Sequence, residues 1–302
     1  MTTTPIGPWT YQWEDVPRPF VHPVRTPAGR VVSVEAPDDH PWQHALWFTI
    51  KFVNGENFWE EYGEFGTLRQ AEPPEVRAAA DGTVTGVSRI AWVRPDGVTV
   101  VADEVLALTH RPMADQPDAH VIDWDVRFTP SVAVELDRTP YTTWGGYGGL
   151  TLRGRPDWHD TRLLLATSGD EPSDGPGDGL EQVLGDRAGW CALDGPLNDE
   201  DGEHDVGVVL LDHPSNPGHP VPWYASTRQP AYGIDGWTNF LNAAFLWDGP
   251  LTLAAGEELR LRYRFVVHDG RWDRDRIEAT AAAWTTWCDD HPEADPIEGD
   301  HP

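Results

Sequence analysis

The sequence predicts an all-β protein, a large antiparallel β-sandwich with one helix near its C-terminus. Three observations support this prediction. Runs of alternating apolar and polar residues recur along the chain, glycine, proline and asparagine turns separate them, and helical spacing is found in one late segment. A chain of 302 residues, 39 % of them hydrophobic, is long enough to bury a core between two extended sheets.

The strands can be followed from the N-terminus. The run GRVVSVEAP alternates and ends at Pro37, and HALWFTIKFV ends before Asn54 and Gly55, a pair typical of hairpin turns. Residues 81–110 contain three runs separated by glycine turns. The last long strand is predicted to turn these side chains inward: Leu259, Leu261, Tyr263, Phe265 and Val267.

The rest of the sequence pattern predicts one helix and a single domain. The segment RDRIEATAAAWTTWCDDH places Ile277, Ala281, Trp284 and Cys288 on one helical face. We predict a single β-sandwich domain over residues 1–292 and an acidic tail at 293–302. The tail and the Gly-, Asp- and Pro-rich loop at 167–182 are not expected to contribute to chemistry.

The net charge of the chain limits the classes of partner that it is expected to bind. The net charge is −28, the isoelectric point is about 4.5, and Lys51 is the only lysine. Such a surface repels phosphate backbones and anionic lipids, so we expect no nucleic-acid or membrane partner. The chain has no signal-peptide pattern and no run of ~20 apolar residues. A cytoplasmic location is therefore expected, while the oligomeric state is not predicted.

The first cluster of candidate functional residues lies in DDHPWQHALWFTIKFVNGENFWEEYG, residues 38–63. This stretch mixes acid–base residues with aromatic residues, as expected for one wall of a sugar-sized cleft. Even spacing on a strand would place both of its histidines on one face. Its candidate catalytic residues are His40, His44, Glu60 and Glu61. Its candidate substrate-binding residues are Trp42, Gln43, Trp47 and Trp59.

The second cluster lies in LLDHPSNPGHPVPWYAS, residues 210–226, after an apolar strand. Four prolines stiffen this loop, and polar groups on a rigid loop at a strand end often form sites. Its candidate catalytic residues are His213 and His219. Its candidate substrate-binding residues are Asn216, Trp223 and Tyr224. We expect the two clusters to meet in one cleft.

The 16 tryptophans favour a carbohydrate ligand, because aromatic rings stack on the apolar faces of sugars. The signatures of several other reaction classes are absent. The sequence has no Gly-x-Ser-x-Gly elbow, no phosphate-binding loop followed by Lys-Ser/Thr and no dinucleotide fingerprint after a strand. Cys191 and Cys288 lie far apart and form no metal-type pair.

Several long motifs resemble a soluble bacterial family often labelled "methane oxygenase PmoA". They are DHPWQHALWFTIKFVNGENFWEE, GDRAGWCALDGPL, LLDHPSNPGHPVPWYAS and LAAGEELRLRYRFVVHDG, in the same order and spread over about residues 20 to 270. The sequence departs from that family's pattern at Gln43, His44 and Tyr147, where many members carry His, Arg and Glu. Methane monooxygenase chemistry itself is not expected, because those subunits are helical membrane proteins.

The resemblance implies a galactose-mutarotase-like supersandwich, a fold that hosts sugar epimerases, lyases and glycoside-acting enzymes. We therefore expect a carbohydrate-active protein that uses His/Glu general acid–base chemistry, with isomerase, lyase and hydrolase activities all open. One alternative is a non-catalytic carbohydrate-binding protein. The other is a metalloenzyme that holds a divalent cation, with no cofactor certain. Its candidate ligands are His40, His44, His213 and His219.

Overall fold

The computed structural model describes residues 3–113, 115–142, 144–166, 178–229 and 236–291. Within these ranges the chain contains 22 β-strands and one α-helix, which confirms the predicted all-β architecture with a late helix. The predicted acidic tail at 293–302 lies outside the described residues, as does most of the predicted loop at 167–182. The division into a domain at 1–292 and a tail stays a prediction.

The strands occupy most of the described chain. The first eleven are β1 Thr3–Ile6, β2 Trp9–Gln12, β3 Phe20–Val21, β4 Leu46–Thr49, β5 Phe52–Val53, β6 Glu56–Asn57, β7 Thr67–Gln70, β8 Glu75–Ala78, β9 Val84–Val93, β10 Val100–Arg111 and β11 Ala119–Pro130. The other eleven are β12 Val134–Asp137, β13 Gly149–Arg153, β14 Arg162–Leu165, β15 Asp178–Leu180, β16 Gln182–Arg187, β17 Trp190–Asp199, β18 Gly202–Asp212, β19 Pro222–Ser226, β20 Phe240–Ala243, β21 Leu251–Leu253 and β22 Leu259–Asp269. Helix α1 spans Arg274–Asp290.

The strands form three antiparallel sheets. The eight-stranded sheet has the order β1-β2-β3-β4-β13-β20-β19-β16, and the ten-stranded sheet the order β15-β14-β17-β18-β22-β11-β10-β9-β7, with β8 also paired to β9. A small sheet has the order β21-β12-β5-β6. Strand β13 lies between β4 and β20, so Thr151 pairs with both Trp47 and Asn242. Strands β4, β13 and β20, which are neighbours in the eight-stranded sheet, thus come from distant parts of the chain.

The main core lies between the two large sheets. Leu46, Leu152 and Leu241 from the eight-stranded sheet belong to the same buried cluster as Leu210 from the ten-stranded sheet. Burying one large apolar side chain contributes roughly 1.5–3 kcal/mol, so many such contacts hold the sheets together. The predicted inward face of β22 is confirmed, since this cluster contains Leu259, Leu261, Tyr263, Phe265 and Val267.

Helix α1 covers the other face of the ten-stranded sheet. It begins after Asp273, whose carboxylate accepts a hydrogen bond from the backbone N–H of Arg276 at 2.9 Å. The predicted apolar face is confirmed, because Ile277, Trp284 and Cys288 are buried there with Ala281 beside them. In the described ranges, no helix is long and apolar enough to cross a membrane.

A layer of aromatic side chains covers the outer face of the eight-stranded sheet. Phe20, Trp47, Tyr224 and Phe240 belong to a buried cluster separate from the main core. Successive residues of a strand point to opposite faces, so these side chains lie opposite their core-facing neighbours such as Leu241. This aromatic layer forms the base of the cavity described next.

Candidate functional site

A cavity of about 440 Å³ lies over the outer face of the eight-stranded sheet. Strands β13, β16, β19 and β20 each contribute lining side chains to it, and so does the loop that precedes β4. The lining side chains of β13, β19 and β20 alternate with residues that enter the main core. The cavity is therefore built on a rigid sheet and not on loops alone.

Residues 37–43 form two consecutive β-turns that bring His40 to the cavity. The backbone N–H of His40 donates to the carbonyl of Pro37, and that of Gln43 donates to the carbonyl of His40, both at 2.9 Å. Pro41 follows His40 in the second turn, at the position where the fixed φ of proline is favoured. Both His40 and Gln43 line the cavity as a result.

Asp39 holds two of the lining residues through a single oxygen. Its Oδ2 accepts a hydrogen bond from Nη2 of Arg153 at 2.6 Å and lies 2.9 Å from Nδ1 of His40. An ionised carboxylate only accepts hydrogen bonds, so Nδ1 carries the proton and Nε2 is the basic nitrogen of the neutral ring. Burial opposes ionisation of Asp39, but His40 and Arg153 outweigh it and lower its pKa below the ordinary value.

Arg153 ends strand β13, and only 2 % of its side chain is exposed. Besides its contact with Asp39, it donates from Nη1 to Oε1 of Gln43 at 3.1 Å. Its Nε is buried and has no hydrogen-bond partner among the described residues. The turns at 37–43 therefore fix the guanidinium in place while leaving one of its donors unused.

Aromatic rings form much of the rest of the lining. Tyr224 packs edge-on against Phe240 at 5.5 Å between ring centroids, and Tyr147 packs edge-on against Tyr224 at 5.6 Å. Trp47 lies against Phe240 at 6.4 Å and is fully buried. Trp144 also lines the cavity and is 52 % exposed. The cavity thus combines aromatic rings held by packing with one tryptophan open to solvent.

The polar groups of β16 and β19 complete the lining. Gln182 donates from Nε2 to the hydroxyl of Ser226 at 3.4 Å. The backbone of Arg228 is anchored, because its carbonyl accepts from the hydroxyl of Thr238 at 2.7 Å. Arg228 is exposed, and its guanidinium makes no ion pair with any described residue. The cavity therefore contains an arginine that no described carboxylate pairs with.

His44 does not line the cavity, although only four residues separate it from His40. Its Nε2 lies 2.7 Å from Oε1 of Glu61 and its Nδ1 lies 3.2 Å from Oε1 of Glu35. Burial acts to lower the pKa of His44, but hydrogen bonds to both glutamates raise it overall. The expectation that both histidines share one strand face is wrong, because residues 37–43 form turns and β4 begins only at Leu46.

Glu60 also lies outside the lining, and it pairs with the only lysine of the chain. Lys51 and Glu60 form a close ion pair, with side-chain exposures of 5 % and 8 %. Burial lowers the pKa of Lys51 below its ordinary value despite the attraction of Glu60. Glu61 is bound to His44, as described above. The two candidate glutamates therefore make structural contacts and do not face His40 across the cavity.

Within the second cluster, residues 210–226, the side chains of the proline-rich loop lie away from the cavity. His213 packs edge-on against Trp284 of α1 at 5.5 Å, and burial together with nearby arginines lowers its pKa to about 3. His219 lies with its Nδ1 2.7 Å from Oδ2 of Asp212, and Asn216 donates to Oδ1 of the same carboxylate at 2.8 Å. None of the three lines the cavity. These contacts stabilise the loop between β18 and β19.

The candidate tryptophans lie mostly below the cavity. Trp47, Trp59 and Trp223 are at most 1 % exposed, so a ligand has no access to their faces. Trp42 is half-buried and packs edge-on against His40 at 5.1 Å. The sequence-predicted site residues that do line the cavity are His40, Gln43 and Tyr224.

The candidate metal ligands are not gathered in one place. In the described part of the chain, no three His, Cys, Asp or Glu side chains are arranged to hold a metal ion. His40 contacts Asp39, His44 contacts two glutamates, and His213 packs against the helix. This geometry does not favour the metalloenzyme alternative.

Sequence reasoning missed several lining residues, among them Arg153, Arg228, Trp144 and Phe240. One available signal was the alternation of Leu150 and Leu152 with polar residues in the run GGLTLR, which turns an arginine away from the core. Arg228 and Phe240 carry no such signal, because their place in the cavity depends on the pairing of β19 with β20.

Comparisons with known proteins were made for the whole chain. A family model described as a family of unknown function, DUF6807, matches residues 7–282. No match was found among curated proteins. The methane oxygenase PmoA label is not supported by these findings.

Two solved structures illustrate the structural similarities. One is an X-ray structure of a galactose mutarotase related enzyme from Lactobacillus acidophilus, at 10 % identity and a TM-score of 0.39, covering 88 % of this chain and 97 % of that one. The other is described as "Putative kojibiose phosphorylase from human microbiome", at 10 % identity and a TM-score of 0.36, covering 98 % of this chain and 34 % of that one. Similarities this distant carry no argument about activity.

Proposed function

Because the matching family model covers most of the chain, this protein belongs to the DUF6807 family of unknown function, and we propose that it acts on a carbohydrate-like small molecule. The proposed site is the cavity beside His40, and His40 is the proposed acid–base residue. The observation that carries the proposal is the chain of contacts from Arg153 through Asp39 to His40 at the wall of an aromatic-lined cavity.

The size and lining of the cavity support a small polar ligand with apolar faces. A volume of about 440 Å³ falls within the range of small-molecule sites. Tyr224 and Phe240 are held by their neighbours, and Trp144 is partly exposed to solvent. Such rings pack against the C–H faces of a sugar, while Gln43, Gln182 and other polar groups bind its hydroxyls.

The contact with Asp39 suits His40 for proton transfer. Nδ1 donates to the carboxylate, which fixes the tautomer and the orientation of the ring and leaves Nε2 as the nitrogen that exchanges a proton. Tyr147 and Tyr224 are the other described lining residues with ionisable hydroxyl groups. The glutamate partner expected for this chemistry is not among the described lining residues. In the proposal, His40 therefore acts with a tyrosine or with a substrate hydroxyl.

A non-catalytic sugar-binding protein is the second candidate function. It is favoured by the lack of any Asp or Glu among the described residues that line the cavity. A binding site needs the aromatic rings and hydrogen-bond donors but no paired proton donor and acceptor. The two candidates differ in whether a bound sugar is converted.

Proton NMR of sugars incubated with the protein in D₂O separates the two candidates. We expect conversion of at least one member of a panel of hexoses, uronic acids and disaccharides. Deuterium incorporation indicates epimerisation, a vinyl proton indicates elimination, faster anomer exchange indicates mutarotation, and new reducing ends indicate hydrolysis. His40→Gln should reduce the conversion about 10²- to 10⁴-fold. Binding without conversion supports the second candidate, and the absence of both contradicts the proposal.

A further inference from the structure

We propose that the ligand of this cavity carries a carboxylate, as a uronic acid does, and that Arg228 and Arg153 bind that group. This inference rests on the proposed function and adds the chemical class of the ligand. Its basis is a local positive charge in a protein that is otherwise strongly acidic. Three observations on the described residues carry it.

The first observation is the charge of the lining. The chain has 50 acidic and 22 basic residues, yet no acidic residue is found among the described residues that line the cavity. The lining includes two arginines and a histidine instead. The long-range field of the protein repels anions, so a positively charged cavity must attract them locally. Binding of a neutral sugar would not require a positively charged cavity in a negatively charged protein.

The second observation is the unused donor of Arg153. The side chain is 2 % exposed, and its two terminal nitrogens bind Gln43 and Asp39. Its Nε is buried without any partner. A buried donor without an acceptor is destabilising, and a ligand oxygen that reaches it would relieve this cost. Asp39 and Gln43 hold the guanidinium in place, so no side-chain ordering is needed on binding.

The third observation is the unpaired charge of Arg228. Its carbonyl is held by Thr238, and its backbone N–H lies 3.4 Å from the hydroxyl of Ser226. No carboxylate in the described ranges pairs with its guanidinium, whereas most arginines of this chain are paired. A guanidinium presents its donors in a planar fork that matches a carboxylate. Arg228 is therefore the proposed first contact of the acid group.

The balance of charge favours a carboxylate over a phosphate ester. Asp39 neutralises Arg153, so Arg228 is the one lining arginine whose positive charge no described residue compensates. A carboxylate carries one negative charge at neutral pH, whereas a phosphate ester carries about −1.5 to −2. The lining contains neither a lysine nor a helix N-terminus that could take up the second charge. A monoanionic ligand leaves no charge unpaired.

Isothermal titration calorimetry with matched ligand pairs tests the inference. The probes are D-glucuronate against D-glucose, D-galacturonate against D-galactose, and D-glucose 6-phosphate as the dianion. We expect at least one uronate to bind about 10- to 100-fold more tightly than its neutral partner, the range of one charge-assisted hydrogen-bond contact. The preference should decrease as the ionic strength rises.

Arg228→Gln should remove the preference, so that the ratio of uronate to neutral-sugar affinity measured in this variant falls to about 1. Arg228→Lys should retain part of it, because the charge remains while the planar fork is lost. The matched control is Arg89→Gln, an exposed arginine on β9 of the other large sheet, which should bind like the parent. Circular dichroism and thermal melts confirm that each variant is folded.

The outcomes separate this inference from the proposed function. Equal binding of acid and neutral sugars, or a preference that survives Arg228→Gln, overturns the carboxylate assignment and leaves the proposed function in place. Tighter binding of the phosphate ester also overturns it. If the parent binds none of these probes, the carboxylate assignment is overturned, and the proposed function is then decided by the NMR panel, which also contains disaccharides.

Discussion

Arg153 donates a hydrogen bond from Nη2 to Oδ2 of Asp39 at 2.6 Å, and both side chains are at most 4 % exposed. This contact joins the end of strand β13 to the turns at 37–43, two segments more than 100 residues apart in sequence. The same carboxylate oxygen contacts His40. One buried aspartate thus positions both the cation and the imidazole of the candidate site.

Asp39→Asn should lower the free energy of unfolding by about 3–5 kcal/mol, because it leaves the buried Arg153 charge without its partner. The matched control is Asp248→Asn. Asp248 pairs with Arg187 at the surface, with side-chain exposures of 67 % and 43 %, and such pairs contribute about 0–1 kcal/mol. Urea unfolding of the three proteins measures the difference. Similar losses in both variants would show that the Asp39 contact contributes little to stability.

His40→Gln should reduce turnover of a converted sugar about 10²- to 10⁴-fold, the usual contribution of general acid–base catalysis. The thermal midpoint should stay within a few degrees of the parent, because His40 lies on the cavity wall and not in the core. His204→Gln is the control, since His204 lies at the surface, away from the cavity, and contacts Asp201. Unchanged turnover in His40→Gln would remove His40 from the chemistry, and an affinity change alone would favour the binding function.

Lys51→Met should destabilise the protein by about 3–5 kcal/mol, because Glu60 then loses its ion-pair partner while it stays buried. The double variant Lys51→Met/Glu60→Leu should lose much less than the sum of the two single variants, since neither charge remains. A double-mutant cycle in urea measures this coupling. Additive losses would mean that the two side chains do not stabilise each other in solution.

Stability should fall as the pH falls below 6.5, in part because of His268. This side chain is 1 % exposed and stacks on Trp272 at 4.1 Å, and its burial lowers its pKa to about 4. Between pH 6.5 and about 4 the unfolded chain therefore binds a proton that the native protein does not. In this range His268 should lower the free energy of unfolding by up to about 1.4 kcal/mol for each pH unit of acidification.

His268→Phe preserves the ring stacking and removes the titrating group, so urea unfolding from pH 7 to 4.5 should show a shallower decline in this variant. His204→Phe is the control, because about a third of the His204 side chain is exposed. An identical pH dependence in the parent and in His268→Phe would contradict the assignment. The carboxylates titrate in the same way in both proteins, so their contribution to the pH dependence cancels in the comparison.

Much of the fold could be predicted from the sequence, because strand and helix patterns are local. Alternation along β22 identified its core face, and the spacing of Ile277, Trp284 and Cys288 identified the buried face of α1. Each pattern depends only on the fixed period of its element. Hydrophobic burial then determines which face turns inward, whatever strand becomes the neighbour.

The candidate site was predicted only in part, because the sequence does not say which strands become neighbours. His40 and His44 appear equivalent in sequence, yet two turns send one to the cavity and the other to Glu35 and Glu61. Similarly, Tyr224 lines the cavity while the adjacent Trp223 enters the core. A one-residue step along a strand reverses the direction of a side chain, so small local changes decide which groups meet.

The sequence by itself determined that the chain forms antiparallel sheets with one late helix and that acid–base and aromatic residues cluster at 38–63 and 210–226. Only the tertiary structure decided that Arg153, Tyr224 and Phe240 share a cavity with His40. Strand β13 is distant in sequence from β19 and β20 and becomes their neighbour through the order β13-β20-β19. The physical reason is that a hydrophobic period is set within a few residues, whereas a binding site is set by long-range strand pairing.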